Sequence, residues 1–331
     1  MGRLALTFAC GRYDRTLPLY EGRVVPEGID LNTILLGYEE LFWRMLRHEE
    51  FDVSELSLSS YLMARAQGKP ELIAIPVFPA RAFRHSSIYV NAQAAIREPK
   101  DLVGRRVGVP EYQMTAALWV RGILEHLYGV SPRDMTWFNG GLEQPDREEK
   151  LPLNLPPEVR LHPIASGKTL NQMLVQGELD ALVTPRPPSA FLKGHPNVRR
   201  LFADYKTEET EYFKKTGIFP PMHTVVIRRR VYDANPWVAQ SLYKAFCVAK
   251  QECTLDRMFD GQLRYALPLL HAAVEESKRT FGDVDMWPYG LEENRHTLET
   301  LVQYSFEQGL TPAPFQVESL FAATTLDTAR N

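Results

Sequence analysis

Short apolar runs alternate along this chain with segments in which apolar residues recur at helical spacing. A continuous apolar run of about four to eight residues is typical of a buried strand, and a stripe repeating about every 3.6 residues is typical of a helix packed on a sheet. The pattern predicts strands at 4–9, 29–35, 51–56, 72–77, 87–90, 105–109, 159–164, 177–183 and 224–227. It predicts helices at 38–48, 57–68, 115–129, 169–176, 236–249, 262–281 and 291–308. This alternation indicates an α/β fold.

A polar turn at 78–90 joins two of the predicted strands. It places Arg81, Arg84 and His85 between the apolar runs at 72–77 and 87–90. Open α/β sheets bind ligands at the ends of their strands, so this turn is a candidate anion site. A solvated basic loop is the alternative interpretation of the same residues.

Polar side chains also mark the starts of two predicted helices. Ser57 and Ser59 lie where an N-cap belongs, and a helix N-terminus can also receive a carboxylate or a phosphate. Tyr112 and Thr115 repeat the same order of strand, polar turn and helix start farther along the chain. Each of these helix starts is therefore a candidate ligand contact.

The order of the elements predicts two lobes. We expect lobe I to contain residues 1–90 and 225–331, including the C-terminal helices, and lobe II to contain residues 91–224. The 331 residues are enough for two lobes that each bury a core. With one polar helix start in each, the lobes are expected to enclose a ligand cleft.

Composition excludes several classes of partner. The formal net charge is −3, so nucleic acid and anionic membranes are not expected as main partners. Cys10, Cys247 and Cys253 form neither an even framework nor a CxxC pair, which favours a reducing compartment. The apolar run at the start is too short and too soon interrupted by charge for a signal peptide, and no run of about eighteen apolar residues occurs. We therefore expect a cytoplasmic protein.

Familiar catalytic motifs are missing from the sequence, which has no GxGxxG, Walker loop, HExxH or GxSxG. The eight histidines do not fall at metal-ligand spacings, so a metal would need ligands scattered through the fold, and none is expected. Arg forms bidentate pairs with carboxylates, and Ser and Thr hydroxyls supplement such contacts. The sequence predicts a small ligand with more than one carboxylate, held by Arg12, Ser57, Ser59, Arg81, Arg84, Thr115 and Arg186.

Six segments carry a family resemblance. They are GRYDRTLPLYEGRVVPEGIDL, EELFWRMLRHEEFDVSELSLSSYL, IPVFPARAFRHSSIYVN, GVPEYQMTAALWVRGIL, TGIFPPMHTVVIRR and PWVAQSLYKAF. Together they resemble the 4,5-dihydroxyphthalate decarboxylase family, and the likeness extends over nearly the whole chain. The resemblance implies the two-lobe fold of type II periplasmic solute-binding proteins. It also implies loss of CO2 from 4,5-dihydroxyphthalate to give protocatechuate, in aromatic breakdown, without an organic cofactor.

Loss of CO2 from an aromatic ring requires a proton donor at the ring carbon, a base at a hydroxyl group and anchors for the carboxylates. His85 and His223 are the candidate acid and base because imidazole titrates near neutrality. The alternative for either is a hydrogen-bonded histidine at a strand end. Glu55 lies in an otherwise uncharged stretch, where burial would raise its pKa and suit proton transfer. The alternative for Glu55 is a salt bridge to an arginine.

Tyr13 and Tyr112 are candidates to stack on the aromatic ring. The sequence does not determine which carboxylate leaves, which histidine donates the proton, or whether the chain forms a homo-oligomer. A binding protein that holds an aromatic carboxylate without reaction is the competing function, since a fold does not fix a function.

Overall fold

The computed structural model describes residues 2–69, 71–253, 263, 265–282 and 284–326. The described strands are β1 (Leu4–Cys10), β2 (Ile29–Leu35), β3 (Val53–Ser57), β4 (Leu72–Ile75), β5 (Ile88–Asn91), β6 (Arg106–Val109), β7 (Thr136–Asn139), β8 (Arg160–Pro163), β9 (Ala181–Val183), β10 (Val198–Arg200) and β11 (His223–Arg228). The described helices are α1 (Leu17–Tyr20), α2 (Tyr38–His48), α3 (Leu58–Gln67), α4 (Thr115–Tyr128), α5 (Leu170–Gln176), α6 (Ser189–Leu192), α7 (Tyr205–Thr216), α8 (Arg229–Ala234), α9 (Trp237–Gln251), α10 (Leu270–Phe281) and α11 (Arg295–Glu307). Strands and helices alternate through most of this order, as the sequence predicts.

The described residues divide into two compact units. Unit 1 takes those within Met1–Arg81, Pro221–Glu299 and Phe315–Asn331, and unit 2 takes those within Ala82–Pro220 and Thr300–Pro314. Within the described part of the chain, no helix combines the length and the apolar character needed to cross a lipid bilayer.

Unit 1 is built on a five-stranded sheet in the order β2-β1-β3-β11-β4. Strand β1 is parallel to β2 and β3, whereas β11 is antiparallel to β3 and β4. The carboxyl ends of β1 and β3 therefore lie at the edge of the sheet where β11 begins. The register confirms this placement, because His223 at the start of β11 is opposite Ser57 at the end of β3.

The core of unit 1 lies between this sheet and α9. Val238, Leu242 and Phe246 recur on one face of α9 and are buried in the same cluster as Phe8 of β1 and Val53 of β3. This contact forms because apolar residues at helical spacing on α9 pack against runs of buried residues in the strands of the sheet. The predicted core-facing helix at 236–249 is thus confirmed in position and in face.

Unit 2 is built on a six-stranded sheet in the order β10-β5-β9-β6-β7-β8. Strand β6 is parallel to β7 and β9, and β7 is parallel to β8, while β5 is antiparallel to β9 and β10. The sequence analysis placed residues 88–90 in lobe I, but β5 pairs entirely within the sheet of unit 2. An apolar four-residue run has no feature that tells which sheet will accept it.

The short helices α1, α6 and α8 were not predicted, and two longer helices also differ from the predictions. Helix α7 was not predicted because its sequence is mostly polar and buries only Tyr212. The helix predicted at 262–281 begins at Leu270, two residues after Pro268, whose missing N–H is not tolerated in a helix interior. Positions 262 and 264 of that prediction lie outside the described residues.

Candidate active site

A histidine and a glutamate pair at the edge of the unit 1 sheet. Glu55 lies opposite Val225 in the antiparallel pairing of β3 with β11, two residues along from the His223–Ser57 pair. Residues two apart on neighbouring strands share one face of a sheet and come within side-chain reach. His223 Nδ1 lies 2.5 Å from Glu55 Oε1.

The Glu55 carboxylate is fully buried and accepts hydrogen bonds on both oxygens. The Gly11 N–H donates to Oε2 at 2.7 Å, and the Cys10 thiol donates to the same oxygen at 3.3 Å. The Tyr13 hydroxyl donates to Oε1 at 2.7 Å, beside the His223 imidazole. Donors from the end of β1, the loop after it and the start of β11 therefore hold the carboxylate in one orientation.

The direction of the Glu55 pKa corrects the sequence-based expectation. Burial opposes ionisation, but the charge and hydrogen bond of His223, together with the donors Gly11 and Tyr13, outweigh it and lower the pKa below its ordinary value. The expected raised pKa is thus wrong. The sequence analysis considered either burial alone or an arginine partner for Glu55. The structure instead provides a histidine, His223, as the partner.

His223 keeps one ring nitrogen available. Its side chain is 15% exposed, and its ring packs edge-on against Phe42 with 4.8 Å between centroids. Among the described residues, Nε2 has no hydrogen-bond partner, whereas Nδ1 faces Glu55. An imidazole held at Nδ1 by a carboxylate can give or take a proton at Nε2, so this pair has the geometry of an acid–base dyad.

Gly11 is required by the close packing around the dyad. A Cβ at this position would lie 3.0 Å from Tyr13 Cε2 and 3.1 Å from Glu55 Oε2. Any side chain would therefore press on the tyrosine ring and on the carboxylate. The glycine allows the backbone N–H to approach the carboxylate closely.

Arg12 and Tyr13 follow Gly11 and have different surroundings. Arg12 is exposed and has no hydrogen-bond or ion-pair partner among the described residues. Tyr13 donates to Glu55 and lies under the Arg15 guanidinium, 4.5 Å from its ring centroid. The Arg15 guanidinium also lies 4.4 Å from the Trp287 ring centroid. Tyr13 is thus held within unit 1 by its hydrogen bond to Glu55, and its stacking on a substrate ring stays a prediction.

The remaining candidates of unit 1 contact the protein itself. Ser57 caps α3 by accepting a hydrogen bond from the Ser60 N–H at 3.4 Å, and Ser59 is buried in the first turn of that helix. Arg81 is buried, and its Nη2 donates to the Pro288 carbonyl at 2.9 Å and to Asn294 Oδ1. Burial lowers the pKa of Arg81 to about 10. These contacts of Arg81 hold the segment around Pro288 in place.

His85, in unit 2, is enclosed by aromatic rings. It is 1% exposed, with the ring centroids of Phe202, Tyr212 and Tyr128 at 5.2, 5.4 and 6.1 Å. Neither ring nitrogen has a hydrogen-bond partner within the described chain. Burial lowers the pKa of His85 to about 4, so the ring is neutral at pH 7. These surroundings give no support to the predicted acid–base role of His85.

The other unit 2 candidates lie on separate elements. Arg84 donates from Nη1 to Ser87 Oγ at 3.4 Å, Arg186 is exposed in the turn after β9, and Thr115 is the buried first residue of α4. Tyr112 is fully buried, with the Arg121 guanidinium 3.7 Å from its ring centroid. Tyr112 therefore belongs to the core, and its face is covered by an arginine.

Curated relatives cover the whole chain. No family model matches it. The 4,5-dihydroxyphthalate decarboxylase of Comamonas testosteroni is 41% identical over 328 residues, 99% of this chain and 99% of that protein. The chain belongs to the 4,5-dihydroxyphthalate decarboxylase family. A second member, the 4,5-dihydroxyphthalate decarboxylase of Pseudomonas putida, is 45% identical over 214 residues, 65% of this chain and 83% of that protein.

Solved structures confirm the predicted fold. The alkanesulfonate-binding protein SsuA from Xanthomonas axonopodis pv. citri matches with a TM-score of 0.55, covering 99% of each chain at 14% identity. At that identity the likeness is one of fold. The decarboxylase-family chain thus has a periplasmic-binding-protein-like α/β fold, with one sheet in each unit.

The structure of this family member also reveals an acidic pair that the sequence analysis missed, one member buried and the other half-buried. Glu149 accepts hydrogen bonds from the Tyr112 N–H at 2.5 Å and from Asn139 Nδ2 at 3.1 Å, and burial raises its pKa to about 7. Glu111 is buried beside it and pairs with Lys150 and Arg147. The only sequence signal was a charged run inside a long Pro-rich loop, which is typical of a solvated segment.

Proposed function

We propose that this chain is a carboxy-lyase that converts 4,5-dihydroxyphthalate to protocatechuate and CO2 without an organic cofactor. The observation that carries the proposal is the Glu55–His223 pair, in which a buried carboxylate holds an imidazole whose Nε2 has no partner among the described residues. The names of relatives that are 41% and 45% identical support the substrate.

The chemistry requires a proton at the ring carbon before CO2 can leave. An aryl anion has its charge in the ring plane, where the π system does not stabilise it. Ionisation of the hydroxyl para to the departing carboxylate raises the electron density at that carbon, which then takes a proton. The bond to the carboxylate breaks, its electron pair restores the aromatic ring, and CO2 departs. One proton thus replaces one CO2 on the ring.

His223 supplies this proton from Nε2. Glu55 stays ionised and accepts a hydrogen bond from the Nδ1–H, so it holds the ring orientation and stabilises the charged imidazolium. Gly11 and Tyr13 hold the carboxylate in turn. Glu55 is accordingly a positioning residue, and His223 is the catalytic residue.

Arg12 is the carboxylate anchor that its surroundings support best. It follows Gly11 directly at the same edge of the sheet, is exposed, and makes no ion pair among the described residues. A guanidinium binds a carboxylate through two parallel hydrogen bonds.

The test is turnover by the purified protein. Incubation with 4,5-dihydroxyphthalate is expected to release CO2 and protocatechuate in equal amounts, and His223→Gln is expected to lower kcat by about 10²- to 10⁴-fold with little change in KM. His48→Gln is the matched control, because His48 is an exposed histidine of the same unit, at the end of α2. Tight binding without CO2 release by the wild type would identify a binding protein instead. Equal kcat in His223→Gln and wild type would overturn the role of the dyad.

A further inference from the structure

Three side chains of metal-binding type converge in unit 2. Glu125 and His126 are neighbours in the last turn of α4, and Glu307 ends α11. One ligand atom from each, a carboxylate oxygen or an imidazole nitrogen, lies within 4.8 Å of the other two. His126 Nε2 and Glu307 Oε2 are 2.7 Å apart although 181 positions separate the residues. No spacing rule detects such a group, which is why the sequence analysis expected no metal.

Neighbouring groups hold each of the three side chains in place. The Ser131 hydroxyl donates to Glu125 Oε1 at 3.1 Å, and Gln303 Nε2 donates to Glu307 Oε1 at 2.7 Å. The His126 ring stacks on Tyr304, with 4.8 Å between centroids and 25° between planes. In each carboxylate, one oxygen is thus held by a neutral donor and the other is left for the cluster. Outer contacts of this kind orient the ligands in established metal sites.

The charge of the cluster also favours a cation. With a neutral imidazole, the two carboxylates give it a formal charge of −2. Among the described residues, no lysine or arginine forms an ion pair with Glu125 or Glu307, and His126 pairs only with Glu307. Two carboxylates held this close repel each other unless a positive charge lies between them.

We propose that Glu125, His126 and Glu307 bind a divalent transition-metal ion of the Zn²⁺ class, with solvent completing the coordination. One imidazole nitrogen and two carboxylate oxygens are a ligand set that suits Zn²⁺, whereas Mg²⁺ and Ca²⁺ prefer oxygen ligands alone. The ion binds at His126 Nε2 in place of the proton between His126 and Glu307, and the ring is then the neutral tautomer with its proton on Nδ1. The bound ion ties the end of α4 to the end of α11 and so stabilises unit 2.

Calorimetric titration of the metal-free protein with Zn²⁺ tests the site. We expect one ion per chain and a Tm that rises by a few degrees with Zn²⁺ but not with Mg²⁺. His126→Ala and Glu307→Gln are expected to weaken binding by at least about tenfold, and Gln303→Ala by a similar factor through lost orientation. His162→Ala, an exposed histidine of the same unit, should bind Zn²⁺ like the wild type.

The variants are compared at equal fold content, measured by far-UV circular dichroism in chelator. Absence of Zn²⁺ binding to the wild type, or equal binding to His126→Ala, would overturn the proposal. Turnover of 4,5-dihydroxyphthalate is also measured on the chelated protein, because the proposed reaction at the dyad needs no ion. Normal turnover without Zn²⁺ binding would overturn only the metal site, and Zn²⁺ binding without turnover would overturn only the proposed function.

Discussion

A carboxylate enclosed by protein stays ionised only when donors satisfy both of its oxygens, and Glu55 meets this condition. Its donors include a backbone N–H, a thiol, a phenol and an imidazole. Because these contacts lower its pKa, Glu55 stays ionised and does not take up or release a proton near neutrality. In the proposed reaction, the proton that reaches the substrate therefore comes from His223, the imidazole that Glu55 holds.

The Glu55→Gln variant tests this dependence. The amide keeps the shape of the side chain but removes the charge that faces the imidazole. We expect kcat at pH 7 to fall by about 10²-fold or more, because His223 is no longer held by an ionised partner. Steady-state kinetics at pH 7 measure the fall.

Tyr13→Phe is the control for that experiment. It removes one of the two donors to Glu55 Oε1 and leaves the carboxylate charge in place. We expect kcat to change by less than about tenfold. A Glu55→Gln variant with a kcat as high as that of Tyr13→Phe would contradict the positioning role of Glu55.

For His85, in contrast to His223, we expect an effect on the stability of the protein and not on its turnover. Its pKa of about 4 in the folded protein lies below the ordinary 6.5, so the unfolded chain binds the proton more readily. The stability that a neutral His85 allows is complete above about pH 6.5 and is lost as the pH falls toward 4. Replacing His85 with Phe removes this loss, which amounts to about 3 kcal/mol between pH 7 and pH 4.

Urea unfolding of His85→Phe and wild type at both pH values measures the difference. The aromatic surroundings accept a phenyl ring, and turnover of 4,5-dihydroxyphthalate at pH 7 should stay close to that of the wild type. A variant that unfolds like the wild type at pH 7 but has lost turnover would instead support a role for His85 in the reaction.

At the scale of the elements, the dyad depends on one strand pairing. Strand β11 runs antiparallel beside β3, and its register brings His223 next to Glu55 on one face of the sheet. A slip of one residue would turn every side chain of β11 to the opposite face. Val225 and Ile227, which alternate with the same period as His223, are buried in the core cluster of this sheet.

Helices α4 and α11 approach each other closely at Gly122. A Cβ on Gly122 of α4 would lie 2.0 Å from Tyr304 Cδ2 of α11. The Tyr304 ring cannot easily move away, because Trp119 lies edge-on to it at 5.6 Å and His126 stacks on it at 4.8 Å. The glycine is thus required by the approach of the two helices.

Gly122→Ala is therefore expected to destabilise the protein although alanine is the better helix former. Overpacking costs about 1–3 kcal/mol, which exceeds the gain in helix propensity of about 1 kcal/mol at most. Gly37→Ala is the control, since nothing lies within 4 Å of its Cβ position. Urea unfolding compares the wild type with the two variants. A Gly122→Ala variant as stable as Gly37→Ala would show that the Tyr304 ring moves aside with no loss of stability.

At the scale of the whole molecule, local patterns predict a large part of the fold. Apolar runs and helical stripes predict the α/β class and most strands and helices, including α9 and its buried face. Glu55 and His223 were candidates because a lone charge in an apolar run and a histidine at a strand end are visible in the sequence. Helix α7 was missed because a mostly polar helix leaves no stripe to detect.

The sequence by itself determined the fold class, the family resemblance and the kinds of residue that the reaction needs. The tertiary structure decided which of those residues meet. Glu55 and His223 are 168 positions apart, and only the order of strands in the unit 1 sheet makes them partners. Likewise, the enclosure of His85 and the convergence of Glu125, His126 and Glu307 arise from packing between distant segments. Periodicity reports the neighbours of a residue along its own element, whereas pairing across elements follows from how the whole core is filled.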